Sequence, residues 1–103
     1  MTPELKERLD REVSSHPIVI YMKGNALFPR CGFSAQALET LKRYGEPHAV
    51  DVLADPALRE GIKLYTKWPT IPQVFIHGKF VGGCDIVREL DERGELAAMI
   101  QGR

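Results

Sequence analysis

Ile18-Val19-Ile20-Tyr21-Met22-Lys23-Gly24-Asn25-Ala26-Leu27-Phe28-Pro29-Arg30-Cys31-Gly32-Phe33-Ser34 is the stretch on which the fold turns. Its first five residues are an unbroken apolar run rich in β-branched side chains, the mark of a strand covered on both faces. Lys23 to Arg30 then has loop chemistry, with Gly and Asn at one end and Pro at the other. Beyond it Phe33, Ala37, Leu38 and Leu41 recur at helical spacing, so a helix is predicted from Gly32 to Tyr44, with Gly45 past its end. Cys31 is thereby delivered to a helix N-terminus, and Ser34 stands where a dithiol site would carry its second cysteine. A Cys-x-x-Cys pair closes on itself as a disulfide, whereas a Cys-x-x-Ser site takes its second sulfur from elsewhere.

Working outward, Leu5, Leu9 and Val13 make one apolar stripe of a surface helix over Pro3 to Ser15, ended by His16-Pro17. On the other side, His48 to Leu53 is predicted as a second strand. Asp55-Pro56 with Leu58, Ile62 and Tyr65 marks an Asp-capped amphipathic helix. Trp68-Pro69-Thr70-Ile71-Pro72 cannot be helical, and Val74-Phe75-Ile76 and Phe80-Val81 flank a His77-Gly78 turn, which predicts an antiparallel hairpin. After Gly82-Gly83, a helix opens at Cys84-Asp85, carries Ile86, Val87 and Leu90, and ends near Arg93-Gly94; Glu95 to Ile100 adds a last short helix. The order β-α-β-α-β-β-α behind an extra N-terminal helix predicts an α/β, thioredoxin-like fold: a four-stranded mixed sheet flanked by helices. With 103 residues and no linker or repeat, residues 1–103 are read as a single domain.

Fourteen basic and fourteen acidic side chains cancel, so no excess positive field draws in nucleic acid or acidic lipid. The first residues mix both charge signs without the apolar core of a signal peptide, and no apolar run reaches membrane-spanning length. Two cysteines, Cys31 and Cys84, are too sparse for a secreted disulfide scaffold. These features predict a cytoplasmic protein, with a mitochondrial or other organelle matrix as the alternative if a targeting segment has been removed. No nucleic-acid or membrane partner is expected. His16, His48 and His77 lack metal-ligand spacing among themselves or with the cysteines, which argues against zinc.

Backbone N–H groups and the positive end of the helix dipole favour the thiolate, so Cys31 is predicted to be acidified, with Lys23 and Arg30 adding positive charge. Ser34, one turn on, is placed either to donate toward the sulfur or to bond backbone as an ordinary first-turn serine. Pro72 directly precedes the third strand. A cis bond there would turn the Ile71 backbone outward to an extended peptide-like ligand; a trans bond would merely start an edge strand. Gly82-Gly83-Cys84-Asp85 combines close backbone approach, helix N–H groups for a carboxylate and an Asp for an ammonium, the two groups of an α-amino acid. The plain alternative makes Asp85 an N-cap and Cys84 a packed thiol. Arg59 and Lys63, four apart on the third helix, share a face suited to a second carboxylate or simply to solvent.

Met22-Lys23-Gly24, Pro29-Arg30-Cys31-Gly32-Phe33-Ser34, Trp68-Pro69-Thr70-Ile71-Pro72-Gln73 and Gly82-Gly83-Cys84-Asp85, in this order and spacing, resemble the monothiol glutaredoxins of the Cys-Gly-Phe-Ser class over nearly the whole chain. The resemblance implies a cis Pro72 and a glutathione site beside Cys31. In that site the glycyl carboxylate meets Lys23, Arg59 and Lys63. The cysteinyl backbone pairs with Ile71 next to Thr70 and Pro72, and the γ-glutamyl end lies on Gly83, Cys84 and Asp85. It also implies cargo. A 2Fe-2S centre takes four thiolates, and two protomers with two glutathiones would supply them, Cys31 being the one ligand from each chain. The cluster then bridges a homodimer. The expected partners are glutathione, apo iron-sulfur proteins that receive the cluster, and a BolA-type protein that replaces half of the bridge.

The rival expectation is a glutathione-dependent oxidoreductase in which Cys31 acts as the catalytic thiolate on protein-glutathione mixed disulfides. A third is a redox sensor with a Cys31–Cys84 disulfide, which needs Cα atoms within about 7 Å. Unlike longer multidomain relatives, no thioredoxin domain is expected ahead of this one. The loop Gly24 to Arg30 is of the longer kind in this class, but Asn25-Ala26-Leu27 departs from the usual Pro-containing start, which leaves its shape open.

Overall fold

Strand β1, Ile18–Met22, is buried along its whole length and supplies the middle of the molecule. The computed structural model describes residues 1–102. Ile18, Ile20 and Met22 point into one apolar cluster with Ala37, Leu38, Leu41, Val87 and Leu96. Val19 and Tyr21 point into another with Leu9, Val13, Leu58, Ile62 and Phe75. An alternating strand between two cores has no face for polar residues, which is why this run reads as continuously hydrophobic.

In chain order the elements are α1 Pro3–Glu12, β1, α2 Gly32–Lys42, β2 His48–Asp51, α3 Pro56–Thr66, β3 Gln73–Ile76, β4 Lys79–Gly82, α4 Cys84–Glu92 and α5 Glu95–Ile100. The sheet order is β2-β1-β3-β4. β1 runs parallel to β2, with Val19 opposite His48, and antiparallel to β3, with Ile20 opposite Val74. β3 and β4 form the expected hairpin. Residues of α2, α4 and α5 cover one face of the sheet, and residues of α1 and α3 cover the other. This is the predicted four-stranded mixed sheet flanked by helices.

Element ends differ from the prediction where side chains compete for backbone groups. β2 stops at Asp51 because the Asp51 carboxylate accepts the Leu53 N–H at 2.9 Å and starts a 3₁₀ turn over Val52–Ala54. α1 ends at Glu12 and α2 at Lys42, each earlier than the apolar periodicity alone suggests. Asp55 caps α3 as predicted, accepting from Leu58 N–H at 3.1 Å, and Arg8 ties the same carboxylate to α1 at 3.1 Å. Among the described residues no helix is long and apolar enough to cross a membrane.

Candidate functional site

Cys31 is the N-cap residue of α2, in extended conformation, so the first-turn amides of the helix face its sulfur. The thiol is held below its ordinary pKa, first by the Ser34 backbone N–H, then by the Phe33 N–H, the Lys23 charge and the Ser34 hydroxyl, against an opposing effect of partial burial. This is the predicted acidification, with one correction. Lys23 contributes, whereas Arg30 is exposed and is not among the groups that act on the thiol. The main-chain role of Arg30 is to close the loop, its N–H donating to Lys23 C=O at 2.9 Å. Of the two roles considered for Ser34, the bond to backbone is a formed hydrogen bond, and the action on the sulfur is the smallest of the effects that lower its pKa. Its fully buried hydroxyl accepts the Lys23 N–H at 3.1 Å and acts weakly on the sulfur.

The loop that presents Cys31 is built around Asn25, whose side-chain oxygen accepts the N–H groups of Leu27 and Phe28 at 3.0 and 2.8 Å. Gly24 and Pro29 form a bridge across its neck. Gly24 has φ +89°, and a Cβ there would lie 2.5 Å from Phe28 C=O and 2.6 Å from Arg30 N, so only glycine fits. Its N–H donates to Asp51 at 3.0 Å, which pins the loop to the end of β2. The departure Asn25-Ala26-Leu27 therefore yields an ordered loop, with Leu27 and Phe28 turned out to solvent at 82% and 71% exposure.

A groove of about 420 Å³ lies beside Cys31, and its walls bring together Lys23, Arg59, Lys63, Thr70, Ile71, Pro72, Gly83, Cys84 and Asp85. The Ile71–Pro72 peptide is cis. Cys31 and Cys84 are both free. Cys84 is buried, donates to Gln36 Oε1 at 3.3 Å, and has its pKa pushed up by burial and by Asp85. That makes it a poor thiolate beside an acidified one. α4 is capped by Gly83, so Asp85 is not an N-cap; it is 79% exposed and pairs with Arg88 at 3.3 Å. Both glycines lie close against the chain itself. A Cβ on Gly82, at φ +146°, would meet the Ile86 side chain at 2.8 Å, and one on Gly83 would lie 3.2 Å from Pro72 C=O and 3.6 Å from Trp68 Nε1.

Sequence reasoning quoted Trp68 without giving it a place in the site. Its ring lines the groove and meets Phe80 edge-on at 5.8 Å between centroids. Trp68 Nε1 and Arg59 Nε are the buried side-chain polar atoms without a hydrogen-bond partner among the described residues, and both belong to this groove. Unpaired buried donors cost about 1–3 kcal/mol each. A lone Trp in a Pro-rich loop was the available signal, but sequence cannot show that its N–H lacks a partner. Among the described residues no three His, Cys, Asp or Glu side chains converge as a metal site, and Cys31 stands as a single thiolate.

Comparison with known proteins matches residues 18–81 to the glutaredoxin family model. A monothiol glutaredoxin of Synechocystis is 48% identical over 98% of this chain and 95% of its own length. The solution structure of reduced poplar apo GrxS14 superposes with a TM-score of 0.86 at 44% identity, covering 98% of this chain and 94% of that one. The crystal structure of the buckwheat glutaredoxin-glutathione complex superposes with a TM-score of 0.82 at 25% identity, covering 99% and 96%. An acidified cysteine with no second thiol in its own motif, on a thioredoxin-like sheet that matches these proteins nearly end to end, leaves one assignment: the chain belongs to the monothiol glutaredoxin family.

Proposed function

We propose that this chain carries a 2Fe-2S cluster ligated jointly by Cys31 and glutathione and hands it to apo iron-sulfur proteins. The observation that carries the reading is the solitary thiolate of Cys31 beside a groove lined by Lys23, Arg59 and Lys63. A single thiolate cannot complete a set of four. The groove supplies what a thiol tripeptide with two carboxylates requires: three cations and the peptide edge at Ile71. Lys23, Arg59 and Lys63 take the glycyl carboxylate, Thr70, Ile71 and Pro72 the cysteinyl backbone, and Gly83, Cys84 and Asp85 the γ-glutamyl end.

Two such half-sites close a symmetric homodimer, each protomer giving one sulfur and one bound glutathione. Cluster and glutathione thiolates are anionic, and the cations of the groove offset that charge in the half-buried setting. A BolA-type protein is the proposed heterodimer partner, replacing one protomer with its own ligand. Residues 1–103 act as one unit in this scheme, in the cytoplasm or an organelle matrix.

The acidified Cys31 also favours a second reading. In a mixed-disulfide exchange the Cys31 thiolate attacks the glutathione sulfur and the target protein leaves as thiolate; a second glutathione thiolate then attacks the Cys31-bound glutathione sulfur, freeing Cys31 as thiolate and forming glutathione disulfide. Anaerobic reconstitution with iron, sulfide and glutathione separates the two, using wild type and Cys31→Ser. Visible absorption that requires glutathione and is lost in Cys31→Ser supports the carrier. A colourless monomer with brisk mixed-disulfide reductase activity rejects it.

A further inference from the structure

The segment Trp68 to Ile71 carries much of the groove wall, yet its residues make no backbone–backbone hydrogen bond among the described residues. Pro69 and Pro72 remove two N–H donors, and Lys67 leaves α3 in the left-handed conformation at φ 58°. The prolines narrow its backbone, but main-chain hydrogen bonds do not tie it to the rest of the fold. What holds it is Gln73, the first residue of β3, paired across the sheet with Tyr21 and fully buried. Gln73 Nε2 donates to Trp68 C=O at 3.0 Å and to Thr70 C=O at 3.1 Å. Its Oε1 lies 2.9 Å from the Thr66 hydroxyl, whose single proton is shared between this oxygen and Ile62 C=O at 3.0 Å, and that hydroxyl oxygen accepts the Trp68 N–H at 3.2 Å.

The amide orientation follows from chemistry, because two carbonyls can only accept and therefore face the NH₂. One buried side chain thus ties the two carbonyls that flank Pro69, and Thr66 ties the amide at the start of the same turn. Among the described residues the Ile71 N–H and C=O make no backbone–backbone hydrogen bond, and Ile71 lines the groove. A buried amide with all these bonds made is stiff in a way an apolar residue of equal size is not.

We propose that Gln73 is a positioning residue for the groove: through Trp68 and Thr70 it sets the Ile71 backbone that an extended thiol peptide pairs with. This rests on the glutathione reading above, and the test keeps the two apart. The probe is S-methylglutathione, which binds without thiol chemistry, titrated into reduced protein while the Ile71 amide is followed by NMR. Gln73→Met keeps volume and removes both donors; its Kd is expected to rise about tenfold, equivalent to about 1.4 kcal/mol. Thr66→Val leaves the Gln73 donors in place and removes the hydroxyl, with an expected rise of about threefold. The pH profile of Cys31 alkylation stays unchanged in both, because neither residue acts on the sulfur. A purely structural role would lower the melting temperature and leave Kd at 25 °C as in wild type, which overturns the proposal. If Gln73→Met does not fold, Thr66→Val with wild-type Kd overturns it equally. No response of wild type to the probe rejects the glutathione reading itself.

Discussion

Replacing Ser34 by Ala separates what acidifies Cys31 from what holds the loop. The Ser34 hydroxyl is fully buried and accepts the Lys23 N–H at 3.1 Å. Alanine leaves that N–H without an acceptor in a part-buried place, at a cost of about 1–3 kcal/mol. In a domain of this size each kcal/mol moves the melting temperature by roughly 4–8 °C, so calorimetry should show a fall of about 4–24 °C. The thiol is expected to respond far less. The leading contribution to its lowered pKa is the backbone N–H of residue 34, followed by that of Phe33 and the Lys23 charge, with the hydroxyl last. Alanine keeps the N–H. The pH dependence of iodoacetamide alkylation should therefore shift slightly upward and stay below the ordinary thiol range. A profile returned to that range would show that the hydroxyl, and not the helix end, makes the thiolate. An unchanged melting temperature would show that the Lys23 hydrogen bond holds nothing.

Gly24→Ala forces a side chain into a left-handed position 2.5 Å from Phe28 C=O, and a loss of roughly 1–3 kcal/mol is expected in urea unfolding; a loss below about 0.5 kcal/mol would mean the loop relaxes freely. Because the folded pKa of Cys31 is lowered, the stability its thiolate adds is fully present above the unfolded thiol value of about 8.5 and is lost as pH falls through the lowered folded value. The stability of wild type relative to Cys31→Ser should accordingly increase from pH 6 to pH 9 under reducing conditions; a flat difference would contradict the lowered pKa. Cys84→Ser removes a buried thiol with a raised pKa and is expected to keep the glutathione-dependent absorption band, its loss indicating that Cys84 is itself a ligand.

The fold was legible because its elements differ in period. The five-residue run Ile18 to Met22 serves two cores at once, and the helix after Cys31 repeats its apolar residues every three to four positions. What sequence missed lies where side chains bond backbone. The end of β2 depends on the Asp51 carboxylate reaching Leu53, and no propensity reports that. The groove residues were found largely through their order along the chain. Nothing in that order distinguishes Arg30, which is exposed and is not among the groups that act on the thiol, from Lys23, which is. Gln73 and Trp68 were invisible as functional parts for a similar reason. A polar residue beside a strand is read as exposed, and only packing shows Gln73 buried with its donors spent on one loop.

The central claim is that glutathione supplies the sulfur that position 34 lacks. Native mass spectrometry of the anaerobically reconstituted protein tests it most directly. The predicted species has the mass of two chains, one 2Fe-2S cluster and two glutathiones, and it disappears when glutathione is omitted. A cluster-bearing species without glutathione, or one built on a single chain, would contradict the account.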